Sequence, residues 1–270
     1  MRIALISLDQ FWQDKTLNLN LCKDFLKKAQ INRCDLIIFP EMTLTAFCME
    51  REFINNSSEN INNSVTMNEF ASLAKLHNLN IIFGATLKDD LDDLPENSMC
   101  LAEPSNGAQK IYSKIHPFSF AEEEKVIQPG KNIGLFKLND INFGASICYD
   151  LRFPTFFNIM NRDCECYICI ANWPIERVNH WKSLLVARAI ENQVYMIGVN
   201  RIGKDGNNLE YSKSSYVISP SGNILESVKI DQEMDIYEIE KDVVNQYRKE
   251  HPFIKDSKDN LYFKFIKTGK

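Results

Sequence analysis

The stretch INFGASICYDLRFP, residues 141–154, decides how this chain is read. Its first seven residues are apolar or small but for Asn142, and the length suits a buried strand. From Phe153 the pattern turns helical through residue 160, and Pro154 is tolerated in a first helical turn. A strand that runs almost directly into a helix belongs to an α/β layout, and Cys148 sits at the junction. Ligands of such sheets gather beyond the carboxyl ends of strands. Cys148 is therefore a candidate nucleophile, its thiol expected to be acidified by the following helix N-terminus. A buried cysteine acting as a small hydrophobe is the alternative.

Two other segments share this geometry. CDLIIFPE, residues 34–41, is a short buried run stopped by Pro40, and Glu41 follows it. QKIYSKIHPF, residues 109–118, places Lys114 just after a strand. Taken singly, Glu41 reads as a solvated loop acid and Lys114 as a surface charge. Together, a thiol, a carboxylate and an ammonium stand at three strand ends. A thiol needs a base to take its proton, and an attacked amide needs a cation or N–H donors for its oxyanion. The set is chemically complete for acyl transfer from nitrogen, and nothing in it requires a metal or an organic cofactor.

Further out, strands are expected over 1–8, 80–87, 166–171 and 194–200, and helices over 17–29, 66–76 and 180–193. Thr66 with Glu69 resembles a capping box, and Asn179 is expected to cap the last of these helices. Hairpins are expected around residues 104–107, 139–140 and 220–222. The polar stretches 55–64 and 88–97 read as surface loops. The tail is taken to start near residue 250. Residues 261–267, LYFKFIK, alternate like a strand and are expected to dock on the body or on a partner. Mixed strands and helices without a dividing linker imply one domain over 1–270, an α/β fold with a mixed sheet covered by helices.

With 270 residues, 44% hydrophobic and 25% charged, the chain is ordinary for a folded soluble protein. Its formal charge of −5 argues against a general nucleic-acid binder. No apolar run approaches the roughly 20 residues that span a bilayer, and no secretory leader is evident. The eight cysteines are expected to be free thiols in a reducing cytoplasm. Cys164, Cys166 and Cys169 lie on a strand pattern that separates them, so no metal is expected there. Phosphate-loop, H-E-x-x-H and G-x-S-x-G motifs are missing from the sequence.

The sequence resembles the nitrilase, or carbon–nitrogen hydrolase, superfamily. FPEMTLTAF around Glu41, YSKIHPF around Lys114 and GASICYDLRFP around Cys148 match its three signatures in order. The likeness runs from RIALISLDQ to SYVISPSGNIL, and Pro117 departs from the family's usual leucine. It implies a four-layer α-β-β-α sandwich, usually dimeric, with a Glu41–Lys114–Cys148 triad. A second family glutamate falls on Glu123, beside Glu122 and Glu124, which suit a solvated turn. The Tyr149 amide would assist Lys114 at the oxyanion. The stretch 171–203 is similar to bacterial omega-amidases, which remove the terminal amide of 2-oxo-dicarboxylate monoamides. Such a substrate needs a fork for its carboxylate. Arg177 is preferred and Arg201 is the alternative, with Trp173 and Phe47 as pocket walls. Arg152 is expected to pair with Asp150. A carbamoyl-amine or other small aliphatic amide hydrolase, and a catalytically silent binding protein, remain as other readings. The expected partners are a small-molecule amide and a second copy of the chain, with no nucleic acid and no membrane.

Overall fold

A computed structural model describes residues 1–91, 93–231 and 233–268. Asp92, inside the second polar stretch, and Gly269 and Lys270, at the end of the tail, lie outside the described residues. In chain order the strands are β1 (Arg2–Ile6), β2 (Leu36–Ile38), β3 (Glu59–Asn60), β4 (Asn80–Lys88), β5 (Glu96–Glu103), β6 (Gly107–Ser113), β7 (Gly134–Leu138) and β8 (Ile141–Ile147). They continue with β9 (Cys166–Ala171), β10 (Tyr195–Asn200), β11 (Gly203–Lys204), β12 (Glu210–Tyr211), β13 (Tyr216–Ile218), β14 (Lys229–Ile230) and β15 (Met234–Glu238). The helices are α1 (Lys15–Ile31), α2 (Arg51–Ser57), α3 (Val65–His77), α4 (Pro154–Met160), α5 (Val178–Asn192), α6 (Lys241–Glu250) and α7 (Asp259–Thr268).

Among the described residues, one mixed sheet runs β14-β15-β1-β2-β4-β5-β6, and a second runs β13-β10-β9-β8-β7. Strand alternation explains the layering. Ile3, Leu5, Leu36 and Ile38 of the first sheet face Ile147, Ile168 and Ile170 of the second, and that core continues to Trp181 and Leu185 of α5. Their neighbours Ala4, Ile6 and Ile37 face the other way, onto Phe25 and Leu26 of α1 and Phe70 of α3. The result is helices, sheet, sheet, helices. The parallel pairs β1·β2, β2·β4, β8·β9 and β9·β10 are buried on both faces, so their strands are mostly apolar.

Several local expectations are corrected. Ser64, not Thr66, caps α3, accepting from the Met67 amide at 3.1 Å. The helix starts one residue earlier than expected, which frees Thr66 to bond Glu59. Asn179 lies inside α5, whose N-cap is Arg177. The stretch 55–64 is not all loop: it holds the end of α2 and all of β3, because Glu59 is tied to Lys15 at 2.5 Å. The third hairpin is reduced to β13 and a single bridge from Ile218 to Ile224. Residues 261–267 form helix α7 rather than a strand. Leu261, Tyr262, Phe265 and Ile266 of α7 are exposed, so the tail does not dock on the body through them.

Candidate active site

The tips of β2, β6, β8 and β9 carry the site. Glu41 sits in the turn after β2, fully buried. That turn lies flat against β4 because Gly84 is there: a Cβ at this position would stand 2.3 Å from the Met42 nitrogen. The Gly84 amide donates to Thr43 Oγ1 at 2.8 Å, locking the turn in place. Lys114 follows β6 and is also fully buried. Its carbonyl accepts from the Gly130 amide at 2.8 Å, a close approach that a side chain on Gly130 would block.

Lys114 Nζ donates to Glu123 Oε2 at 2.8 Å and to Glu41 Oε1 at 3.1 Å. An ammonium carries three N–H donors, so one is left for a ligand. Burial by itself lowers the pKa of a lysine. Here Glu123 and Glu41 more than reverse that, and Lys114 is held well above its ordinary value as a fixed cation. Asn97 on β5 spans both acids: its Nδ2 donates to Glu41 Oε1 at 2.8 Å and to Glu123 Oε1 at 3.0 Å.

Cys148 adopts φ +46°, the left-handed region that non-glycine residues enter only under constraint. Asp150 supplies the constraint. Its carboxylate accepts from the Ile147 amide, the Tyr112 hydroxyl and the His116 backbone amide, and pairs with His116 Nδ1, at 2.7–3.1 Å. The 3₁₀ turn Cys148–Arg152 then begins at the thiol. The leading amides of such a turn, Tyr149's among them, have no partner within it. Asn172, just past β9, links thiol and acid: its amide donates to Glu41 Oε2 at 2.9 Å, and its carbonyl lies 3.9 Å from Cys148 Sγ. The expected acidified thiol is corrected. Burial, then the Glu41 charge, push the Cys148 pKa well above the ordinary range, against the pull of Lys114. Cys148 therefore rests as a thiol and needs a base at the moment of attack.

Cys148 opens into a cavity of about 300 Å³ walled by Phe47, Tyr149, Trp173, Arg152, Arg177 and Tyr211. The Phe47 ring lies 5.3 Å from Lys114 Nζ. Trp173 is fixed by reciprocal bonds with Asn200 at 2.7 and 2.8 Å, and its indole donates to the Arg177 carbonyl at 2.8 Å. Arg177 packs over Phe118 and Arg152 over Trp173, at 5.9 and 4.8 Å. Among the described residues neither guanidinium has a carboxylate partner. The expected Arg152–Asp150 pair is thus absent: Asp150 is taken up by the elbow, and Arg152 turns to the cavity. Arg201 lies elsewhere. It is fully buried, bonded to the Gln10 and Ile202 carbonyls, and sits 4.7 Å behind the Tyr211 ring.

A carbon–nitrogen hydrolase family model matches residues 2–249. The chain belongs to that family. A protein from Escherichia coli K12 named omega-amidase YafV is 31% identical over 95% of this chain and 96% of its own. A Bacillus subtilis protein named 2-oxoglutaramate amidase is 26% identical over 96% and 98%. Among solved structures, a hydrolase of this superfamily from Xanthomonas campestris, XC1258, with an arsenic adduct in its active site, superposes with a TM-score of 0.86 at 28% identity, covering 95% and 97%. Yeast Nit3, of the nitrilase superfamily, shares the fold at a TM-score of 0.81 and 22% identity, covering 93% and 94%. The fold is the four-layer nitrilase sandwich expected from the sequence.

The structure gathers Glu41, Lys114, Glu123 and Cys148 at one end of this hydrolase fold, with Phe47, Trp173 and Arg177 around them. Asn97, Asn172, Arg152 and Tyr211 were not singled out as site residues in the sequence. Asn97 was expected at the end of the surface loop 88–97, and the structure corrects this: it lies on β5, which begins at Glu96, and is fully buried. Only the placement of Asn172, one residue past a strand end, matches the cue that marked Glu41 and Cys148.

Proposed function

We propose that this hydrolase removes the terminal amide of a small 2-oxo acid monoamide, 2-oxoglutaramate or 2-oxosuccinamate, through a thioester on Cys148. One observation carries the reading: a thiol, a buried carboxylate and a buried ammonium meet beside a small cavity whose far wall holds two guanidiniums without carboxylate partners. The names of the Escherichia coli and Bacillus subtilis relatives support the same substrate class.

In the proposed cycle Glu41 takes the Cys148 proton as sulfur attacks the amide carbon. The remaining N–H of Lys114 and the Tyr149 amide receive the oxyanion, and removing one such donor costs about 3–4 kcal/mol in related sites. Glu41 then protonates the leaving nitrogen, the C–N bond breaks and ammonia departs. Water adds to the thioester, giving its proton to Glu41. The C–S bond breaks, the free acid leaves, and the proton returns to sulfur. Glu123 holds Lys114 in place. Arg177 and Arg152 bind the carboxylate, with Trp173 and Phe47 enclosing the chain between. Arg201 serves this reading from behind, as support for Tyr211. The same reading puts the enzyme in the cytoplasm as a homodimer, supported by its eight free thiols and by the exposed apolar helix α7.

Ammonia release from a panel of amides tests this. The 2-oxo acid monoamides should give the highest kcat/KM, and Cys148→Ala should lose at least about 10⁴-fold. Preference for an N-carbamoyl amine or a neutral aliphatic amide would move the substrate to the other hydrolase reading. A folded protein that releases no ammonia from any of them would make it a silent binder.

A further inference from the structure

The geometry points to Asn97 as the positioning residue that holds Glu41 ready to accept a proton. The inference rests on the proposed role of Glu41 and adds a residue to it. Asn97 bonds Glu41, Glu123 and Lys114. Its two side-chain N–H groups go one each to Glu41 Oε1 and Glu123 Oε1, at 2.8 and 3.0 Å. Its backbone carbonyl accepts from the Lys114 amide at 2.9 Å. The side chain is fully buried, and its Oδ1 has no hydrogen-bond partner among the described residues. The reverse amide orientation would set a carbonyl oxygen against two carboxylates, so the chemistry fixes the donor end toward the acids. An orphan buried acceptor is costly and marks a constraint other than packing.

The physical consequence concerns protonation. Lys114 and Asn97 both bridge the two acids, and Asn97 puts one neutral N–H on each. It also divides the labour of Glu41. Oε1 is occupied by Asn97 and Lys114, while Oε2 points to the Asn172 amide, on the side of the thiol. Other titratable groups that face the site are Cys148 after β8, Cys169 on β9, and Tyr211 of β12, which faces Cys148. None of these donates a hydrogen bond to Glu41 among the described residues, so Asn97, Lys114 and the Asn172 amide hold it alone.

The test is Asn97→Leu, which keeps the volume and removes the donor, with Asn97→Asp as a second variant of the same shape. Folding is checked by circular dichroism. Two profiles are recorded against pH: kcat/KM for amide hydrolysis, and the rate at which chloroacetamide alkylates Cys148, followed by mass spectrometry. In both variants the acid limb of kcat/KM should move up by at least about half a pH unit, because a carboxylate that loses an N–H donor holds a proton more tightly. In Asn97→Leu alkylation should extend to lower pH, because the thiol is relieved of the Glu41 charge. At neutral pH kcat should fall about 10- to 100-fold with KM changed less than about 3-fold. A uniform loss at all pH values, with both limbs unmoved, would reduce Asn97 to a packing residue and overturn the inference, as would wild-type behaviour. If the wild type hydrolyses no amide, the functional reading fails by itself, and the alkylation profile still decides the role of Asn97.

Discussion

The buried cluster beside Cys148 and the outer wall of the cavity treat charge in opposite ways. In the cluster Glu41, Lys114 and Glu123 are fully buried, and every charge has a partner at 2.8–3.1 Å. On the outer wall Arg152 and Arg177 are only partly buried, lie against aromatic rings and form no ion pair among the described residues. Burying an unpaired charge is prohibitive, so the inner charges must be satisfied before any ligand arrives. A half-exposed arginine bears no such penalty, because water solvates it until an anion replaces the water. The difference separates a preset reacting centre from a surface that waits for its ligand.

The sharpest way to break this contrast is at Glu41. Glu41→Gln should cut amide hydrolysis about 10²- to 10⁴-fold. Yet it should make the thiol easier to ionise, because the Glu41 charge raises the Cys148 pKa and its removal lowers it. A spectroscopic thiolate titration should therefore move to lower pH. A titration that moved up would show that Glu41 does not act on the sulfur as described.

Next in size is Lys114→Met, which leaves two buried carboxylates facing each other. Losing one partner of a buried ion pair costs about 3–5 kcal/mol. For a chain of this length that is roughly 6–20 °C in Tm, read by calorimetry. Arg177→Met, on the outer wall, should leave Tm nearly unchanged. Its effect should instead fall on anionic amides, about 2–4 kcal/mol in kcat/KM, with neutral amides changed less than about 3-fold. Arg152→Met should behave alike and more weakly. Equal losses for anionic and neutral amides would remove both arginines from carboxylate binding.

The smallest effect is expected behind the outer wall. Tyr211 donates to Asp205 at 2.8 Å and covers Arg201. Tyr211→Phe should cost about 1 kcal/mol of stability in a denaturant titration. A much larger loss would mean that the β11–β12 hairpin depends on this bond more than the rest of its contacts imply.

How far the sequence could be read differs between these two regions as well. The inner acid, cation and sulfur each directly follow an apolar run, and that local mark is visible in one dimension. Asn97 has none, since it lies within a strand and acts through neighbours 56 and 26 positions away. Arg152 was drawn to Asp150 by closeness in sequence, but the elbow already fills that carboxylate. LYFKFIK alternates in part, yet it folds as helix α7, with its apolar side chains exposed.

The sequence by itself settled the strand and helix alternation, the family and the order of the three reacting groups, because periodicity and strand ends are local properties. Tertiary structure alone decided which oxygen of Glu41 is tied up, that the Cys148 thiol is held protonated, and which arginines stay unpaired. Those depend on burial and on partners from distant strands, and electrostatics in a low-dielectric interior is set by what surrounds a group, not by what precedes it in the chain.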